Sequence, residues 1–117
     1  MNQDLLEIKA YLAKTENCVA TTAQTLTAAS TITLPTGYTW SQINYILLQV
    51  DNQAASPVAN CVRYTEDGTT PSDTVGKKLS DTQFVDISGV SNCSKFKMIK
   101  TTAAAGDTVV VQIAFYR

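Results

Sequence analysis

Two hydrophobic periods divide the chain. Between Gln3 and Lys14, Leu5, Ile8 and Leu12 recur at spacings of three and four, the signature of one helical face. This stretch contains no Gly, Pro or Thr. Asn2 is placed to cap it, and Asp4 and Glu7 precede Lys9 and Lys14 as the helix dipole favours. About three turns of helix are not stable alone in water, so the segment must pack on something. It either lies on the rest of its own chain or forms a short oligomer seam, with Leu5 and Leu12 at a and Ile8 at d.

Glu16 to Ala23 reads as a polar joint, after which the period falls to two. Leu26, Ile32 and Leu34 alternate with threonines, which predicts strand with one dry face, ended by Pro35-Thr36-Gly37. Tyr38 and Trp40 follow at a core edge. Ile43 to Val50 is apolar on both faces, predicting a central strand covered on two sides, with Asp51-Asn52 as its closing turn. Pro57 to Thr65 is the next strand, with Val58, Asn60, Val62 and Tyr64 on one face. Glu66-Asp67-Gly68-Thr69 marks a tight turn, and Lys77 to Leu79 a short paired piece. Gln83 to Ile87 is a strand, and Lys95 to Lys100 another, with Phe96 and Met98 inward and Lys95 and Lys97 outward. Ala105-Gly106-Asp107 turns the chain into the last strand, where Val109, Val111, Ile113 and Phe115 share a face.

Seven or eight short strands between turn signals predict an all-β chain. The expected fold is an antiparallel β-sandwich, immunoglobulin-like or jelly-roll-like, with a short N-terminal α-helix; a small closed barrel is the alternative. Residues 1–17 are the helix, for docking or oligomerisation, and residues 18–117 the sandwich domain.

Composition sharpens this. A length of 117 residues fits one domain. Charged residues make up only 16%, against about 25% in an average domain. The polar content is neutral instead, with 17 threonines, β-branched residues that suit a pleated surface. A formal net charge of -1 offers no broad basic face, so no nucleic-acid partner is expected. No apolar run of membrane-spanning length exists, and the start of the chain lacks the basic and apolar regions of a signal peptide. The expectation is a protein made in a cytoplasm and not exported by the general route, with no membrane partner.

Candidate chemistry is sparse. The chain has no His, which removes His-based triads, His-ligated zinc and the usual pH switch. Cys18, Cys61 and Cys93 form no CxxC pattern and read as three reduced, small hydrophobes; a Cys61–Cys93 pairing stays open. No Gly-x-Ser-x-Gly elbow and no glycine-rich phosphate loop occur. Most carboxylates sit in turns, with Asp86 on the outer face of a strand. Glu66, Asp67 and Asp73 cluster on one loop without the spacing of a calcium loop. No catalytic, cofactor-binding or metal site is therefore expected, and the chain reads as a non-enzyme without cofactors. Lys95, Lys97 and Lys100, joined by Lys77 and Lys78, form a basic group, either a solvated face that blocks aggregation or a contact for an acidic partner. Tyr38, Trp40 and Tyr45, with the Asp67 loop, are candidates for stacking a sugar ring, or are core.

The run Pro57-Val58-Ala59-Asn60-Cys61-Val62-Arg63-Tyr64-Thr65-Glu66-Asp67-Gly68-Thr69-Thr70-Pro71-Ser72, followed by Gly76 and Leu79, resembles small tailed-bacteriophage virion proteins. In these, a strand ending Arg-Tyr-Thr leads into Asp-Gly-Thr-x-Pro, a spaced Gly and a Leu. Phe96-Lys97-Met98-Ile99-Lys100, the Ala105-Gly106-Asp107 turn and the closing Phe115-Tyr116-Arg117 also fit. The resemblance implies a structural role in the virion, as a head decoration, head fibre, neck or tail-associated component. It implies capsid, portal or neck, or tail proteins as partners, and a homo-oligomer with a trimer favoured. Leu5, Ile8 and Leu12 are then the candidate oligomer or docking interface. The alternative is a carbohydrate- or receptor-binding module displayed on a particle surface through Tyr38, Trp40, Tyr45 and Asp67.

Overall fold

Strict alternation in the closing segment organises the structure, a computed structural model that describes residues 17–117. The helix expected over Gln3–Lys14, with Leu5, Ile8 and Leu12, lies outside the described residues. The closing segment forms β8 (Val109–Tyr116), in which Val109, Val111, Ile113 and Phe115 are completely buried. On one side β8 pairs with β1 (Cys18–Thr25), and on the other with β3 (Tyr45–Asn52). β6 (Phe84–Ser88) adds to β3, giving a four-stranded sheet in the order β1-β8-β3-β6. A second sheet has the order β2-β7-β4-β5. Its strands are β2 (Ser30–Thr31), β4 (Val62–Thr65), β5 (Lys77–Leu79) and β7 (Lys97–Lys100). Every strand pair is antiparallel.

One buried cluster joins the two sheets. The first contributes Ile46, Leu48, Val50 and Ile87 beside the four residues of β8; the second contributes Val62, Tyr64, Leu79 and Met98. The rings of Tyr64 and Phe96 stack within it, 5.2 Å between centroids. Cross-strand neighbours Ile46, Ile87 and Phe115 share one row, so the period of two places all three on the same dry face. At one open side, the Gln24 side chain mimics a strand: its amide nitrogen donates to the Thr31 carbonyl and its oxygen accepts from the Thr33 N–H, both at 2.9 Å.

The structure corrects several boundaries. Residues 18–23, read as a joint, belong to β1; their edge position tolerates Thr and Ala, and the pairing with β8 creates the strand. Asp51 and Asn52 extend β3 instead of closing it. Asn52 is buried yet fully bonded: its N–H donates to Asp81 Oδ1 at 2.9 Å, its side-chain nitrogen to Asp107 Oδ2 at 2.9 Å, and its side-chain oxygen accepts from Ala54 N–H. Residues 57–61 are not strand, because Asn60 turns the chain at φ 54. A six-residue helix, α1 (Val90–Lys95), follows β6; it buries Cys93 and takes Lys95 out of the strand expected there.

Gly76 sits where β5 begins, at φ +116. A Cβ there would lie 2.8 Å from the Tyr64 carbonyl oxygen, a backbone atom that cannot move aside without disturbing β4. Gly106 has open space and no left-handed φ. Gly76→Ala is therefore expected to cost about 1–3 kcal/mol, while Gly106→Ala stays within about 0.5 kcal/mol of the parent. Urea unfolding of both variants checks this; coincident midpoints would refute the close approach.

Candidate functional site

Each sheet buries one face and presents the other outward. On the outer face of the first sheet, pairing sets Thr21, Ala114, Leu47 and Asp86 in one row. The next row holds Ala23, Gln112, Gln49 and Phe84. Phe84 is 65% exposed, a large ring standing on a sheet surface. Together with Thr21, Leu47, Gln49, Gln112 and Ala114 it lines a shallow depression of about 310 Å³. At one end Tyr45 and Tyr116 meet edge to face, centroids 5.4 Å apart. The Tyr45 hydroxyl donates to Asp86 Oδ2 at 3.2 Å. Burial first, and then the Asp86 charge, push the Tyr45 pKa up to about 12, so this hydroxyl remains a donor at neutral pH.

The outer face of the second sheet is cationic. Arg63 lies opposite Lys78 on one side and Ile99 on the other, and Lys97 lies opposite Thr65 and Thr31. Arg63 Nη1 also donates to the Gly76 carbonyl at 2.8 Å. The structure thus gathers Arg63, Lys78 and Lys97. Of the remaining lysines, Lys77 pairs with Glu66 at 3.4 Å, Lys95 ends α1, and Lys100 donates to the Asp107 carbonyl at 3.0 Å. Arg63 was absent from the expected basic group, although its alternation with Val62 and Tyr64 marked it as outward.

The candidate ligand residues occupy separate places. Tyr38 and Trp40 are half-buried against the core, while Tyr45 stands on the outer face of the first sheet. Among the described residues the ring contacts are Tyr45–Tyr116 and Tyr64–Phe96, and neither joins Tyr38, Trp40 and Tyr45. Asp67 Oδ1 accepts from the Thr69 N–H at 3.0 Å across the Gly68 turn, and this bond lowers its pKa. Asp73 accepts from both the hydroxyl and the N–H of Thr102, which lowers its pKa and ties the 70s loop to residue 102. Among the described residues no three His, Cys, Asp or Glu side chains come together to hold a metal, and no helix is long and apolar enough to cross a membrane.

All three cysteines are free thiols; Cys18 is exposed, and Cys61 and Cys93 are buried. Burial raises the Cys61 and Cys93 pKa values, the latter to about 11, so neither forms a thiolate readily. A thiol reagent should label Cys18 alone in the native protein and all three after unfolding. Rapid native labelling of a Cys18→Ser variant would show the two buried thiols to be accessible.

Asp67 and Asp73 have folded-state pKa values below those of the unfolded chain, so their contribution to stability is present above the unfolded pKa. It is lost as pH falls below about 3.9 and through the lower folded values. Thermal unfolding recorded on descending through this window should show a steeper fall in Tm for the parent than for Asp73→Asn. Parallel curves would remove the assigned role of the Asp73–Thr102 bonds.

In comparison with known proteins, no family model, curated protein or solved structure matches this chain.

Proposed function

We propose that this chain is a non-enzymatic structural component of a tailed-bacteriophage virion. It acts as a decoration, fibre, or neck or tail accessory protein, through contacts with other virion proteins and through self-association, with a trimer favoured. The finer reading of its fold is an antiparallel β-sandwich, immunoglobulin-like or jelly-roll-like, preceded by a helix over residues 1–17 that serves for docking.

The observation that carries this reading is the edge strand β1. Sheet edges expose unpaired N–H and C=O groups, and proteins ordinarily blunt them with charge, proline or brevity. β5 has three residues and carries Lys77 and Lys78, β2 has two residues, and β6 carries Asp86. β1 runs for eight residues, CVATTAQT, with no charge and no proline, and among the described residues its only strand partner is β8. Such an edge suits pairing with a neighbouring chain. The resemblance supports the same reading, since its residues are the framework turns: Gly68 at φ 90, Gly76 against Tyr64, and Leu79 in the core. The low charged share also suits large polar interfaces, whose centres are depleted of charge.

Light scattering on the purified full chain is expected to give an oligomer, a trimer favoured, that a lysine placed at Ala23 on β1 weakens. A monomer across the accessible concentration range would overturn self-association.

A further inference from the structure

On the outer face of the second sheet, strand pairing sets Arg63 directly opposite Lys78. Both point outward, because Val62, Tyr64 and Leu79 beside them fill the core. Like charges directly opposite in an antiparallel pair repel and cost stability. Among the described residues the one ion pair joins Lys77 to Glu66, so no described carboxylate stands within salt-bridge distance of Arg63 or Lys78. An oxyanion between the two would turn their repulsion into attraction.

Both cations open on one hollow of about 370 Å³, walled also by Asn60, Asp73, Thr101 and Thr102. Hydrogen bonds across three loops fix its frame. Arg63 Nη1 donates to the Gly76 carbonyl at 2.8 Å, which sets the plane of the guanidinium. The Thr101 hydroxyl donates to the Asn60 carbonyl at 3.0 Å, and the Asn60 N–H to Ser80 Oγ at 2.8 Å. The Thr102 N–H and hydroxyl both donate to Asp73. A frame bonded in this way is ordered before a ligand arrives, which lowers the cost of binding.

We propose that this hollow binds a small carboxylate that also carries hydroxyl groups, in the class of an acidic monosaccharide. The ligand carboxylate lies between Arg63 and Lys78, where the guanidinium offers a planar fork of donors and the lysine a point charge. Asp73 supplies the second half of the recognition. Its carboxylate has about four acceptor positions, and Thr102 fills one on each oxygen, so ligand hydroxyls have acceptors left to reach. The charge balance agrees. Two cations against the Asp73 carboxylate leave room for one negative charge, fewer than a phosphate carries near neutral pH. Size agrees as well. Ligand pockets run from about 300 to 1,000 Å³, and this hollow, near the small end, suits one ring. Its lining contains no aromatic side chain, so polar contacts and not ring stacking select the ligand. The site lies apart from Tyr38, Trp40, Tyr45 and Asp67, and it does not rest on the assignment to a virion.

Amide NMR of the isotopically enriched full chain tests it, with sodium glucuronate as the probe at constant ionic strength. Saturable shifts are expected at Asn60, Arg63, Lys78 and Thr102, and none there with glucose, which lacks the carboxylate. Acetate, which lacks the hydroxyls, is expected to bind about tenfold more weakly. Lys78→Gln leaves the Arg63–Gly76 bond and the loop bonds in place, and it should weaken glucuronate about tenfold while the spectrum stays dispersed. Lys95→Gln removes the same charge at the end of α1, away from the hollow, and should bind as the parent does. Three results would each overturn the proposal: no saturable shift at these residues, acetate binding as tightly as glucuronate, or equal weakening by the two lysine variants. The last would reduce the effect to diffuse charge attraction. The oligomeric mass enters none of these outcomes, so this inference and the reading of self-association fail separately.

Discussion

The register between β3 and β8 is the constraint on which the rest depends. Eight consecutive pairs, from Tyr45 with Tyr116 to Asn52 with Val109, lock two strands that alternate along most of their length. A slip of one residue would turn Ile46, Leu48 and Val50, or Val111, Ile113 and Phe115, to the outside together. Each such side chain is worth about 1.5–3 kcal/mol when fully buried. No alternative pairing offers comparable burial, so β1 and β6 inherit their positions from this ladder.

The second sheet is held less by ladder than by side chains. Its strands are two to four residues long. Tyr64, Phe96 and Met98 anchor it in the shared core, and Gln24 stitches its edge to the first sheet. At the far end the loops meet in a polar knot. Asp107 accepts from Asn52 and from the Val58 N–H, and the Thr101 hydroxyl donates to the Asn60 carbonyl. Asn52, buried here, is stable because it is bonded, and Asp73, one of the clustered carboxylates, is spent on joining its loop to Thr102. Asp67, though exposed, closes its own turn by accepting from the Thr69 N–H.

The outer faces give the molecule two unlike sides. One is neutral to acidic with an apolar centre, and the other presents Arg63, Lys78 and Lys97. The edge of β1 adds a third kind of surface, eight residues with no charge and no proline and, among the described residues, β8 as the one strand partner.

Much of this was legible in the sequence. The alternation of β8, the inward Phe96 and Met98, and the turn at Gly68 follow from local pattern, because a period of two and a left-handed turn residue leave few choices. The outward places of Asp86 and Lys97 follow from the same parity. What the sequence could not settle was decided across the chain. β1 is strand because β8 pairs with it, though Thr21 to Ala23 carry no apolar alternation. Asn52 stays in β3 because Asp81 and Asp107, distant in sequence, satisfy its polar groups. Lys95 leaves the sheet because α1 must turn to bury Cys93. The gathering of Arg63 with Lys78 and Lys97, and of Leu47 with Ala114 and Phe84, exists only once strands far apart in sequence lie about 5 Å apart in space. Periodicity fixes which way a side chain points; only strand order decides what it stands beside.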